Sequence, residues 1–399
     1  MNTHPTEQGD LAFDPEEYPH RFPGRFGVTI HKTEKADDGY TLVCSRNSEE
    51  SARLIDMTGR VVHRWHYPQG LSWHYAEMLG NGHLLAVVNV GGYTAKRART
   101  QHLLELDWDS QVVWKSSAPV HHDVQRRENG NTVLLCNQDR LIPGINPEII
   151  TYDYVQEITP DGTVVWEWHF VDHVDELRNL ARAFGNLPEM YKVRFGWDDE
   201  DGKLANFPAA WSRDFPHLNT VERLPDTPLG RQDRRFRAGN LLISPRHLDC
   251  ICIVDHDTQE MVWMWGLGEI LGQHHPTMLP DGHILLFDNG KAPPVANRSR
   301  CLEIDPATGR IVWDYSADPP EAFYAPTGSS NQRLPNGNTV ICGMDMMPGR
   351  QGQVFEVTPE GEVVWAYWSC TESEAPPQST TMYRAVRYTR ALIENLIEG

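Results

Sequence analysis

Apolar runs of four to six residues, broken by Gly, Asn, Asp and Pro, recur along this chain in two alternating forms. The first form is a turn of the Leu-Pro-Asn-Gly-Asn kind followed by an apolar run: "ADDGYTLVC", "LGNGHLLAV", "ENGNTVLLC", "RAGNLLISP", "LPDGHILLF" and "LPNGNTVIC". The second is an acidic turn with a Val-Val-Trp-like ending: "LELDWDSQVVW" to Trp114, "EITPDGTVVW" to Trp166, "IVDHDTQEMVW" to Trp263, "EIDPATGRIVW" to Trp313 and "EVTPEGEVVW" to Trp365. An earlier copy, "LIDMTGRVVHRW", has His63 where the others have tryptophan. Apolar runs between such turn formers predict strands joined by hairpins. Together the two forms make a unit of about fifty residues worth about four strands, and six copies predict an all-β, six-bladed β-propeller. A two-sheet sandwich leaves the repeated ending unexplained. The tryptophans are expected to pack between neighbouring blades.

The spacing breaks once, between Trp166 and Trp263. The chain therefore divides into an N-terminal extension (1–26), one propeller domain (27–388) with an insertion at about 169–213, and a C-terminal tail (389–399). Within the insertion, "VDELRNLARAF" has helical apolar spacing and an acidic first turn. It is expected to cap the central channel. Pro225 to Gly239 reads as a shorter basic hairpin extension. The end of the chain is amphipathic and is expected to pack on the last blade.

Composition narrows the function. The 399 residues are 40% hydrophobic, enough for a large core, and carry a formal net charge of −19. Such a field repels nucleic acid and anionic lipid. No run approaches the roughly 20 apolar residues of a membrane span. The polar N-terminus reads as cytoplasmic rather than secretory. Seven cysteines without a CxxC pair argue against a disulfide framework or zinc knuckle. Cys250 and Cys252 share one face of an expected strand and read as buried thiols.

Histidines arrive in register with the blades. Counting back seven residues from the Asn or Asp before the turn glycine gives His31, His74, His122, His274 and, in the last blade, Ser329. In the fourth blade the turn is longer, and the same count falls on Asn219, two residues after His217. Innermost strands line a propeller's axis, so these positions are expected to form a ring at the channel mouth. Two chemistries fit. Neutral imidazoles of His31, His74, His122, His217 and His274 converging on one point hold a divalent metal. Alternatively, one imidazole is a nucleophile and another a proton donor, with Arg246 just after the fourth inner strand gripping an anionic group.

Several stretches resemble the arylsulfotransferase family. "GVTIHKTEKADDGYTLVC" is similar to its first blade, "DFPHLN" to its Asp-Trp-x-His-x-Asn segment, "LLISPR" to its Ile-Ser-x-Arg segment, and "GQHHPTMLPDGHILLFDNG" to its Gln-His…Phe-Asp-Asn-Gly segment. The similarity runs over about Gly27 to Tyr388. It implies a histidine that takes a sulfuryl group from an aryl sulfate and passes it to a phenol. By motif that residue is His274, with His275 as its adjacent rival. His217, Arg246 and His122 match sulfate-holding and proton-handling positions. His121, Asn219, Tyr75 and Ser329 are the candidates for substrate contact. The implied partner is a small phenolic or aromatic compound; a homodimer stays open. Sulfuryl transfer requires no cofactor, and no GxGxxG or GxxxxGK[ST] loop is present to hold a nucleotide. Two departures stand out: residues 1–26 leave no room for the N-terminal domain of the exported members, and "DFPH" alters one aromatic wall. The competing readings are a metal-dependent lyase or hydrolase of a plant-derived phenolic, and a partner-binding propeller without catalysis.

Overall fold

Glycine makes the repeat's turns possible. Gly130 and Gly162 sit at φ 86°, in the left-handed region that an L side chain rarely adopts, and each closes a hairpin between two apolar strands. In the computed structural model, which describes residues 25–45, 51–91, 101–142, 149–182, 214–290, 298–344, 352–370 and 381–398, the strands assemble into six antiparallel sheets of four or five strands. This is a six-bladed β-propeller. Among the described residues, no helix is long and apolar enough to cross a membrane.

Blade 1 runs from the axis outward as Met382–Thr389, Gly39–Ser45, Ser51–Ile55 and Val61–His66. Blade 2 is Ser72–Met78, Leu84–Asn89, Gln101–Leu106 and Val112–Ser116. Blade 3 is Val120–Arg126, Thr132–Leu141, Ile149–Ile158 and Val164–His169, with Asp214–Phe215 parallel to its third strand. Blade 4 is Leu218–Arg223, Leu241–Pro245, Ile251–Val254 and Met261–Trp265. Blade 5 is His274–Met278, Ile284–Asp288, Arg300–Asp305 and Arg310–Ser316. Blade 6 is Ser330–Arg333, Thr339–Gly343, Gln353–Val357 and Val363–Trp368, with Gly27–His31 added outside.

Both ends of the chain thus cross the seam between blades 6 and 1. The expected packing of the C-terminal tail on the last blade is corrected: Met382–Thr389 is the innermost strand of the first blade, paired with Gly39–Ser45. The helix Arg390–Glu398 follows it, and its Leu396 lies against Gly82 of blade 2. Correspondingly, Gly27–His31 is not an inner strand. It pairs with Val363–Trp368 at the rim, with His31 opposite Trp365.

The repeated tryptophan has a repeated partner. Its indole N–H donates to a turn carbonyl of the next blade: Trp114 to Pro160 (2.7 Å), Trp166 to His256 (3.1 Å), Trp263 to Pro306 (3.2 Å), Trp313 to Pro359 (2.8 Å) and Trp365 to Met57 (2.9 Å). His63, in the odd copy, instead stacks on Trp108 of blade 2 at 3.6 Å. The cysteines are free, and Cys250 and Cys252 are buried.

The described part of the insertion packs at the edge of blade 4. Helix Val174–Arg182 buries Leu177 and Ala181 at the rim, and its Glu176 accepts from the backbone of Met261 in the outer strand of blade 4. Residues 183–213, where the rest of the expected cap falls, lie outside the described residues. Pro225 to Gly239 forms a short helix and a 3-10 turn rather than a hairpin, started by the Thr227 hydroxyl accepting from Gly230 N–H.

Candidate active site

Strand pairing brings one residue from each of five blades to the same depth at the axis. Ala385, Ala76, Val124, Val221 and Asn331 face equivalent residues of their second strands. Two residues earlier stand Tyr383, His74, His122, Asn219 and Ser329; in blade 5 the same position is His274. In five of the six blades the ladder slips here. His122, His217, His275 and Ser329 take left-handed φ of 56°, 60°, 50° and 83°. Such backbone is held only where surrounding structure fixes it, and it concentrates at functional sites.

The structure brings His74, His122, His217 and His274 together and leaves His31 out. Tyr383, from the C-terminal strand, occupies the blade 1 position. Its ring centroid lies 6.4 Å from His74, 5.7 Å from His122 and 6.1 Å from His274. His122 and His217 are 5.0 Å apart, His74 and His122 6.5 Å. The register count failed at His31 because the strand it counted along belongs to the rim of blade 6, where His31 is exposed.

His274 is buried, and its Nδ1 faces two acceptors, Asn289 Oδ1 at 2.7 Å and Gly272 O at 3.1 Å. The Asn289 amide cannot turn round without loss, because its Nδ2 donates to Ala325 O (2.7 Å) and Gly328 O (3.2 Å). Nδ1 therefore carries the proton and Nε2 keeps its lone pair. Burial, and then the charge of Arg246, push the His274 pKa well below the usual imidazole value. A neutral imidazole with a basic Nε2 is the form required of a nucleophile.

Arg246 opens a 3-10 turn after Leu241–Pro245, and its backbone N–H donates to His217 O. It is buried, and its charge acts on both His274 and His247. His217 donates from Nδ1 to Asp214 Oδ2 at 2.6 Å. Burial raises the Asp214 pKa, but the His217 imidazole outweighs it and holds the carboxyl well below its usual range. His247 stacks on His217 at 4.7 Å and hydrogen-bonds Asp214 O through Nδ1.

A second carboxylate stands behind His122. The Nδ1 atoms of His121 and His122 are 2.6 Å apart, and His121 Nε2 lies 3.1 Å from Asp153 Oδ1. Asp153 is fixed in turn by Leu218 N–H, 2.6 Å from Oδ2. His121 thus stands between a buried acid and His122. His74 Nδ1 accepts from the Gln101 amide at 3.0 Å.

The remaining candidates make contacts of their own. Asn219 donates to Gln273 O of blade 5. The Ser329 hydroxyl accepts from Met344 N–H and turns toward its own blade. His275 lies one step deeper; its Nδ1 accepts from Asn331 N–H of blade 6, and burial followed by the Arg384 charge lowers its pKa well below normal. Tyr75 also lies one step deeper, with its hydroxyl bonded to Glu77 and Arg384 5.2 Å from its ring. In this lower layer Arg384 forms a buried ion pair with Asp123 at 2.6 Å and donates to Asn219 O.

The ring histidines do not meet as a close ligand set. Among the described residues, the group of three potential ligands whose donor atoms come within 4.8 Å of one another is Asp281, His283 and Glu303, at the edge of blade 5. There Glu303 is already shared between His283 (2.7 Å) and Arg333 (2.6 Å).

Sequence reasoning missed Tyr383, Asn289, Asp214, Asp153 and Gln101. Asn289 and Asp214 stood inside the quoted motifs, in "FDNG" and next to "FPH", and an acceptor close to a histidine was the available signal. Tyr383, Asp153 and Gln101 gave none, being joined to their histidines only through strand order.

No curated protein matches the chain significantly. Among solved structures it is similar to a protein of unknown function from Bacteroides caccae, with a TM-score of 0.50 and 13% identity over 87% of this chain and 100% of that one. It also matches the WD40 β-propeller domain of Doa1, with a TM-score of 0.43 and 10% identity over 91% and 96%. Kuenenia stuttgartiensis hydrazine synthase gives a TM-score of 0.43 and 12% identity over 85% and 78%. Likeness at these identities concerns the fold alone. The model of the arylsulfotransferase (ASST) family, by contrast, matches residues 99–370, a span that holds His122, His217, Arg246, His274 and Asn289. With more than half of its length matched, this chain belongs to the arylsulfotransferase family.

Proposed function

We propose that the protein transfers a sulfuryl group between phenolic small molecules through His274. The observation that carries this reading is the tautomer lock: Asn289 and Gly272 take the Nδ1 proton, and burial keeps the ring neutral. His274 Nε2 attacks the sulfur of an aryl sulfate. The S–N bond forms as the S–O bond to the aryl oxygen breaks, and the phenolate leaves with the bonding pair. Arg246 balances charge on the sulfuryl oxygens. His217, backed by Asp214, or His122, backed by His121 and Asp153, gives the phenolate its proton. The same group then takes the proton of the acceptor phenol as its oxygen attacks sulfur and the S–N bond breaks. Proton handling of this kind contributes about 10²–10⁴ in rate. Membership of the family supports the transferase class; the phenol and the donor are part of the proposal.

The test is incubation with 4-nitrophenyl sulfate, following nitrophenol release and the intact mass. The reading expects a sulfuryl adduct that an added phenol removes and that His274→Ala cannot form. No turnover across a panel of aryl sulfates, or an adduct retained in His274→Ala, overturns it.

A further inference from the structure

At the far end of the inner strands from the histidine ring, four blades carry an arginine at one repeated position: Arg126, Arg223, Arg333 and Arg387. Three of them build the same joint with the preceding blade. Arg126 lies 4.6 Å over Trp114 and pairs with Glu105 at 2.7 Å. Arg333 lies 4.8 Å over Trp313 and pairs with Glu303 at 2.6 Å. Arg387 lies 4.7 Å over Trp365 and pairs with Glu356 at 3.2 Å.

The fourth joint is broken. On Trp166 the arginine's place is taken by His256, stacked at 4.9 Å and 13°. Glu157 is taken by Arg127 and by Asn131, the latter at 2.6 Å. Among the described residues Arg223 has no ion-pair partner, and its Nη1 is buried without an acceptor. Its guanidinium lies beside Gly239, which sits at φ 95°, and a Cβ built there would stand 2.8 Å from Nη2. Arg223 lines a cavity of about 550 Å³ together with Arg126, Arg127, Gln125, Asn129 and one acid, Glu128.

We infer that Arg223 anchors a binding site for a small tetrahedral oxyanion, of the sulfate or phosphate kind, between blades 3 and 4. Arg223 is half-buried, but its Nη1 is a buried donor without an acceptor; that is costly, and an anion that takes the N–H removes the cost. The planar fork suits two oxygens of one tetrahedral ion, and Arg223 supplies the charge, since Arg126 and Arg127 beside it are each paired with a glutamate. The site is separate from His274 and does not rest on the proposed transfer.

Titration calorimetry with sulfate and with phosphate, each at fixed ionic strength against chloride, tests it and shows which ion is preferred. The wild type is expected to show a saturable event that Arg223→Gln weakens at least tenfold and Arg246→Gln leaves in place. Arg223→Lys, which keeps the charge and loses the fork, is expected to fall between and serves if the glutamine variant is unstable. No saturable binding of either ion, or binding unchanged in both Arg223 variants, overturns the assignment.

Discussion

Asn289 Oδ1 stands 2.7 Å from His274 Nδ1, and that contact decides which nitrogen of the imidazole is basic. The amide does so as a neutral acceptor, whereas Asp214 holds His217 with a charge. The pair of contacts separates the two histidines chemically: His274 stays neutral with a free lone pair, and His217 is hydrogen-bonded to a carboxylate.

Replacing the neutral acceptor by a charged one tests this division. A carboxylate beside an imidazole favours its protonated form, by about one to three pK units. The pKa of His274 lies well below its usual value, so kcat/KM of the wild type is expected to stay level through neutral pH and to fall only in acid. In Asn289→Asp the acid limb should move to higher pH by at least about one unit. An unmoved pH–rate profile refutes the tautomer lock.

His31 and Tyr383 exchange roles relative to the sequence register. His31→Ala is expected to leave kcat/KM within about twofold, since surface changes away from a site do little. Tyr383→Phe and His74→Ala should each lower it by tenfold or more while the unfolding midpoint holds. The ring is misassigned if His31→Ala is the damaging variant.

Arg384 and Asp123 pair at 2.6 Å inside the channel, both buried. Removing one partner strands the other charge, so Asp123→Ala should cost about 3–5 kcal/mol in urea unfolding. Replacing both, as Arg384→Met with Asp123→Leu, should recover most of that loss. A double variant as unstable as the single one contradicts the stranded-charge account.

Trp313 is only half-buried; it lies under Arg333 and donates to Pro359 O. Trp313→Ala should therefore cost about 1–3 kcal/mol, less than a core tryptophan. A double-mutant cycle with Arg333→Gln should return a coupling of about 0.5–1 kcal/mol. Zero coupling removes the stacking from the joint.

Glu222 is pushed up to about 8 by burial, although its Oε2 accepts from Met278 N–H. The unfolded carboxyl titrates near about 4.3, so between these values the folded protein holds a proton that the unfolded chain has released. Stability should fall as pH rises through that window, by at most about 1.4 kcal/mol per unit. In Glu222→Gln the fall should be shallower; equal slopes in thermal melts across that range exclude Glu222 as its source.

What the sequence determined by itself was the blade. Period and turn chemistry are local, so the glycine turns, the strands and the Val-Val-Trp endings were legible residue by residue, and with them the number of blades. The same register found His74, His122 and His274, because each lies a fixed distance from a turn in its own blade. Tertiary structure decided what depends on closing the ring. Which terminal strand fills blade 1 is a long-range pairing between Met382–Thr389 and Gly39–Ser45; it puts Tyr383 at the axis and His31 at the rim. The partners behind the ring, Asp153 near His121 and Gln101 bonded to His74, come from third strands brought near by pairing. No local pattern encodes them, because a side chain's acidity is fixed by what packs around it and not by its neighbours in sequence.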